Sequence, residues 1–517
     1  RGSDGSNNKV FLRFGCSKPG DFSVGLTMEK NAGEKLLWDP ENNQFGPDFL
    51  SGHIQLKDKG RLTNLILGDF QTQFGQGLVL GGPFGLGKGS ETITTTRRAN
   101  IGLLPYTSGT ERGYFRGVAS TIALTQRLFI TTFYSTVRRD ATTSTDGGLP
   151  IITSLPLTGL HRNDIELQGR GLVRETDYGG IVNFQSEKLD AGMIFYGIHF
   201  NGEIERETTL LQSGFTGNTG HNQSGFINYR TNNFTFFSEV AGSHSGGIAA
   251  IAGVLGSLSH SLDVSIVYRR YDTNYQCFHA SAFSENSSPK NVRGFYWGWK
   301  YSLSRRLTIQ GYADLFRFPW LAFRRYAPTS GHEWLARLNW QPQKKLHVYL
   351  QMREESKSRN VADEQPLYTL DKGIKRNYAL DVRREINTNW KFRSRAQYST
   401  YSIAGKKSDG LALVQDVSFS KGRFQLSARY ALFETMDFDN RQYVYENDVW
   451  MAFSLPAYYG RGVRRYVVLE YKFNKSLSIW IRYAVSRYTD RDEIGSGLET
   501  VQGNSRNDIK LQALFRF

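Results

Sequence analysis

Three features of this 517-residue chain could carry chemistry. The first runs from Gly82 to Lys88 and spells G-x-x-x-x-G-K, the spacing of a loop that cradles phosphates with backbone N–H groups. Gly89 stands where such a loop needs a Ser or Thr for magnesium, and Pro83 and further glycines interrupt it. No strand–helix–strand unit surrounds it, so it reads as irregular loop. The second feature is metal or nucleophile chemistry. The nine His are scattered, and none has a second His or carboxylate at helical ligand spacing. Cys16 and Cys277 are the only cysteines and form no motif, and no G-x-S-x-G elbow exists. No catalytic residue, metal or cofactor is therefore expected, although distant residues could still meet in a fold. The third feature is a row of cations. Lys391, Arg393 and Arg395 alternate with Phe392, Ser394 and Ala396, so they share one face of a strand. That row could bind anions or form cross-strand ion pairs.

The elements that must position such residues are strands. Leu346, Val348, Leu350 and Met352 alternate with His347, Tyr349 and Gln351, and Ile479, Ile481 and Tyr483 alternate with Trp480 and Arg482. This period of two marks β-structure. The chain closes the same way: Ile509, Leu511, Ala513, Phe515 and Phe517 share a face opposite Lys510, Gln512 and Arg516. An amphipathic last strand with a terminal aromatic fits the closing strand of an outer-membrane barrel, its aromatic in the interfacial girdle. No run of 18 apolar residues exists, which excludes a transmembrane helix. The 27 Tyr, 34 Phe and 53 Gly against 13 Pro suit a large antiparallel barrel with aromatic belts.

Connections fall into two classes. Tight turns lie at Asp58–Arg61, Asn387–Asn389 and Asn474–Ser476, among others. Long ones cover residues 31–47, 71–113, 140–178, 201–222, 272–293, 318–331, 355–373 and 488–506. Their alternation matches short periplasmic turns and long outer loops. The expectation is one transmembrane antiparallel β-barrel domain over residues 1–517, of roughly 22–24 strands, in a bacterial outer membrane. Residues 434–462 stay open as a folded loop or a strand pair. Counting back from the inward last strand gives an odd number of spans, which predicts at least one further strand upstream of Arg1.

Within this frame the cations acquire a direction. Arginine at the lipid midplane costs about 2–4 kcal/mol, so Lys391, Arg393 and Arg395 should point inward. Residues 71–113 are too glycine-rich for a core and too apolar, at Leu78, Val79, Leu80, Phe84 and Leu86, for a solvated loop. A barrel of this size needs a plug, so the segment is expected to fold into or cap the lumen. Arg97, Arg98, Arg112 and Arg116 would then lie near the channel. The net charge of +16 allows lipopolysaccharide, nucleic acid or other anions as partners, or simple loop charge.

The run from Leu67 to Leu80 (LGDFQTQFGQGLVL), then FGLGKG at 84–89 and LPYT at 104–107, resembles the barrel part of Bacteroidota outer-membrane proteins that carry an N-terminal helix-hairpin-helix domain. PAYYGRG at 456–462 and DRDEIGSG at 490–497 are similar too. The sequence before us has no such domain. The resemblance implies an upstream periplasmic domain, contact with barrel-insertion machinery, and DNA or another polyanion as cargo. Three functions stay open: a channel for anionic cargo, a non-conducting docking barrel that gathers lipoproteins or other envelope subunits, and an outer-membrane hydrolase.

Overall fold

Alternating apolar and polar side chains build this molecule with its chemistry inverted. The computed structural model describes residues 5–39, 44–82, 85, 87–146, 149–205, 214–362 and 368–517. Along the strand Gly217–Arg230, Asn222, Ser224 and Asn228 are buried while Ile227 and Tyr229 are exposed. Along Phe424–Thr435, Ser427 and Arg429 are buried while Tyr430 and Leu432 are exposed. Lipid, not water, is the solvent that accepts such a surface. The chain is an outer-membrane β-barrel protein. Among the described residues no helix is long and apolar enough to cross a membrane, so strands do the crossing.

Twenty-six strands belong to one sheet. Three are short additions, Gly102–Pro105, Thr142–Asp146 and Leu149–Ser154, which leaves 23 of spanning length among the described residues. Among the described residues pairing is antiparallel between neighbouring strands, with a brief parallel contact of Ile151 and Ile152 with Glu203 and Ile204. The chain packs as two compact units. The first comprises Arg1–Leu258, Val264–Trp297 and Phe316–Pro328, and the second Ser259–Asp263, Gly298–Leu315 and Thr329–Phe517.

In the first unit, glycine and aromatic residues meet across the ladder. Gly179 pairs with Phe133, Gly197 with Tyr178, Gly192 with Phe226 and Gly253 with Phe237. In each case the ring lies where a Cβ on the glycine would sit, within 2.4 to 2.7 Å. The ring shields backbone that glycine leaves bare, and the missing Cβ lets the strand bend. The abundant Gly and aromatics therefore act as one device.

In the second unit, the connection expected over residues 355–373 is mostly strand. Leu346–Ala362 and Tyr368–Glu385 pair out to Ala362 with Tyr368. The ladder keeps satisfying backbone groups beyond the bilayer, so it has no reason to stop at the lipid boundary. The terminal strand Ser505–Phe515 pairs with Leu477–Tyr488. Its outer residues Ile509, Leu511 and Phe515 are exposed, as is Phe517 just beyond it.

Phe195, exposed on the strand Leu189–Ile204, tests the inversion. Phe195→Arg should cost about 2–4 kcal/mol, read from urea unfolding in liposomes. A loss under about 0.5 kcal/mol would mean the position faces water, where surface changes are small.

Candidate functional site

The interior of each unit is occupied by its own loop segment. In the first unit the strand Leu62–Gln73 hands the chain to a run in which Leu78, Val79 and Leu80 have no exposed surface. One buried carboxylate organises it. Glu239, on the inner face of Phe234–Ser243, accepts hydrogen bonds from the backbone N–H of Gln76 at 2.6 Å and Leu78 at 3.2 Å, and from Ser224 at 2.8 Å. Gly75 and Gly77 both have positive φ, which turns these N–H groups toward the carboxylate as an anion nest. A Cβ on Gly75 would stand 2.8 Å from a Glu239 oxygen, so only glycine fits.

Other bonds tie the segment around the wall. Gln76 donates to Asn228 at 2.9 Å, Asn100 to Asp190 at 3.1 Å, and the Tyr296 hydroxyl to the Thr92 carbonyl at 2.8 Å. The connection after Tyr271 folds in beside it: Tyr275 donates to the Leu78 carbonyl, and Ser281 N to the Gly77 carbonyl.

The second unit holds its segment with charge. Residues 434–462 contain two two-residue strands, Gln442–Tyr443 and Ala457–Tyr458, and fold inward. Glu446 is fully buried and receives Arg464 at 3.0 and 3.1 Å, Arg482 at 2.6 Å and the Tyr458 hydroxyl at 2.8 Å. Arg482 also reaches Asp508 at 2.7 Å, and Lys510 reaches Asp448 at 2.7 Å. Asn440 and Gln442 bond Ser399, and Arg359 bonds Asp439. The fully desolvated Glu446 holds its charge because it has several donors, whereas Asp508 and Asp439 keep part of their hydration.

A cavity of about 600 Å³ remains in the second unit, bordered on one side by Asn447 of this segment. The short turns 304–307, 343–346 and 385–390 lie beside it, so it sits at the periplasmic end. Its lining carries Arg305, Arg306, Arg337, Arg383, Arg384, Lys391, Arg393 and Arg429 against Asp381, Glu385 and Asp416, an excess of five cations over carboxylates.

The cations singled out in the sequence divide sharply. Arg393 and Lys391 line this cavity, but both are paired, Arg393 with Asp381 and Lys391 with Glu385, each at 2.7 Å. Arg395 donates to the Tyr349 hydroxyl at 2.6 Å and lies 3.6 Å from Asp381. The row is thus largely a cross-strand ion-pair wall. Arg116 chelates Asp69 at 2.6 and 2.8 Å, and Arg98 bonds the Ser281 carbonyl. Arg97 is half-buried and Arg112 is exposed. Phe84 and Leu86 lie outside the described residues. Arg305, Arg306 and Arg384 escaped the sequence reading. Among the described residues they make no ion pair. Their signal was present, because Arg305 and Arg306 stand in a tight turn that marks the periplasmic rim.

A third cluster joins connections of the first unit. His161 lies between Asp48 at 2.6 Å and Asp140 at 3.0 Å, and its backbone N–H donates to Glu34 at 3.2 Å. Burial pulls the imidazole down, but its bonds to Asp140 and Asp48 outweigh this and push it up to about 10. Burial, reinforced by the charge of Asp48, pushes Glu111 up to about 8.

No protein-family model matches the chain, and no curated protein sequence matches it. Solved structures similar to it include siderophore receptors. A mutant ferric enterobactin receptor PfeA from Pseudomonas aeruginosa is 9% identical, over 98% of this chain and 80% of its own, with a TM-score of 0.44. The siderophore receptor PirA from Acinetobacter baumannii is 7% identical, over 99% and 81%, at 0.43. The ferric yersiniabactin uptake receptor FyuA from Yersinia pestis is 9% identical, over 99% and 98%, at 0.34. Such distances leave cargo and mechanism to this chain's own residues.

Two outcomes follow from the geometry. Glu239→Ala strands two buried N–H groups and should destabilise the protein by about 1–3 kcal/mol in urea. A change under about 0.5 kcal/mol would show that the segment does not depend on this anchor. The second outcome concerns pH. The folded His161 sits above its ordinary 6.5, so its stabilisation is complete below about 6.5 and lost as pH rises through about 10. Glu111, also raised, favours the folded state when protonated and adds a loss of the same sign from about 4.5 to 8. Protease resistance of residues 155–172 should therefore fall between about pH 6.5 and 10, and His161→Gln should flatten that fall. An unchanged profile in the variant would remove His161 from the cause.

Proposed function

We propose that this chain is an outer-membrane translocation barrel for anionic cargo, closed at rest by its infolded segments. The cation excess of the periplasmic cavity carries the reading. Arg305, Arg306 and Arg384, at its turn-lined end, make no ion pair among the described residues and can meet an anion without first breaking one. The other cations of the lining, ion-paired or, for Arg337, hydrogen-bonded to Asn339 and Gln351, fix the wall. Residues 71–113 act as the movable gate, because mainly hydrogen bonds from neutral groups hold them to the wall, while the buried Lys88–Glu285 pair joins them to the 272–291 connection rather than to a wall strand. The family resemblance supports DNA or another polyanion as the cargo class, and the reading assigns the barrel no catalytic step.

A docking barrel that conducts nothing has one observation in its favour. The pairs of Glu446 and Asp448 with Arg464, Arg482 and Lys510 make the second segment costly to withdraw. Breaking a buried pair by removing one partner costs about 3–5 kcal/mol.

Planar-bilayer recording separates the two. Deleting residues 78–86 should raise conductance and reveal anion preference, and Arg305→Gln with Arg306→Gln and Arg384→Gln should reduce that preference. The same triple variant should flatten the salt dependence of polyanion binding, by a log–log slope of about 0.7–0.9 per cation removed. Conductance unchanged by the deletion favours the docking barrel. Cation preference in the opened barrel overturns anionic cargo.

A further inference from the structure

The first unit contains a buried group of ligand atoms that neither the wall nor the infolded segment satisfies. Glu175 and Asp177 lie two residues apart on the inner face of the strand Val173–Gln185. His279 reaches them from the connection that folds in after Tyr271. One ligand atom from each of the three lies within 4.8 Å of the other two. Asp177 has no exposed side-chain surface and His279 about one-tenth.

Their hydrogen bonding is incomplete. Arg139 holds one oxygen of Glu175 at 2.6 and 3.0 Å, and the Tyr196 hydroxyl donates to Oδ1 of Asp177 at 2.6 Å. Oδ2 of Asp177 is buried with no hydrogen-bond partner. Nε2 of His279 is likewise buried and without one, although it lies 3.4 Å from Oδ1 of Asp177. The imidazole packs against Phe115, ring centres 4.3 Å apart, and edge-on to Tyr196 at 5.6 Å, which fixes its direction. The charges do not close either. Arg139 answers Glu175, and Asp177 meets no Lys or Arg among the described residues. An unpaired buried charge of this kind is strongly disfavoured.

We propose that Glu175, Asp177 and His279 bind a first-row divalent cation of the zinc class. One imidazole nitrogen and two carboxylates are borderline-to-hard donors that suit zinc, cobalt or manganese, with a remaining position for water. Oxygen-only calcium chemistry fits them less well. The cation supplies the charge that Asp177 lacks and uses both orphaned atoms. Arg139 and Tyr196 then serve as outer hydrogen-bonding groups that orient the ligands. The site pins the 272–291 connection to the barrel wall, beside the segment that includes Leu78.

The test uses the full chain in detergent, stripped with chelator and titrated with Co²⁺, read by its visible d–d absorption and by metal analysis. The expected result is one equivalent bound, displaced by Zn²⁺. Asp177→Asn and His279→Gln should each weaken binding at least about tenfold. Both variants must keep the heat-modifiable gel mobility of the folded barrel. His161→Gln, in the other His-bearing cluster, should bind as the parent does. No stoichiometric binding by the parent overturns the proposal. So does binding unaffected in folded Asp177→Asn and His279→Gln, or lost only in His161→Gln.

Discussion

A carboxylate fixed on a strand inside a membrane protein cannot turn to water, so something must be brought to it. Glu239 is that case: its backbone donors come from Gln76 and Leu78, in a segment that would otherwise be an outer loop. The inverted surface makes this unavoidable. Lipid takes the apolar face of every strand, so the polar face turns inward, where each group needs a partner. The infolded segments supply those partners, and burial of Leu78, Val79 and Leu80 follows from that docking.

The two units meet the same requirement by different means. Against its wall the first uses mainly backbone N–H groups and neutral side chains, and its buried Lys88–Glu285 pair ties one infolded segment to another. The second uses Glu446 and Asp448 against Arg464, Arg482 and Lys510, where opposed charges must move together or not at all. A segment held by neutral bonds can leave and return more readily than one held by interlocked charges. The basic cavity lies beside the charge-locked segment, and Arg305, Arg306 and Arg384 stand at its rim.

Much of this was legible in the sequence. Period-two alternation identified the strands around Leu350 and Ile481, because register is set by which face meets lipid. The inward direction of Arg393 and Arg395 followed from the same physics. Their partner did not, since Asp381 lies across the ladder and its position depends on register. Residues 434–462 stayed ambiguous because two-residue strands leave no periodicity to read. His161 looked solitary for a similar reason: Asp48 is 113 residues away and Asp140 is 21. The His279 group is equally non-local. Alternation reports a face, whereas a site is a meeting of faces, and only the fold brings those together.

Hydrogen–deuterium exchange of the protein in lipid nanodiscs tests the central claim most directly, that loop segments docked on the polar wall fill each interior. The backbone amides of Gln76, Leu78 and Asn447 each donate to a side chain of the wall, to Glu239 in the first two cases and to Tyr466 in the third. They should exchange as slowly as the amides of the wall strands Phe234–Ser243 and Phe424–Thr435. Exchange of these three at the rate of a free loop, with the strands still protected, would contradict the account and leave a barrel with a solvated interior.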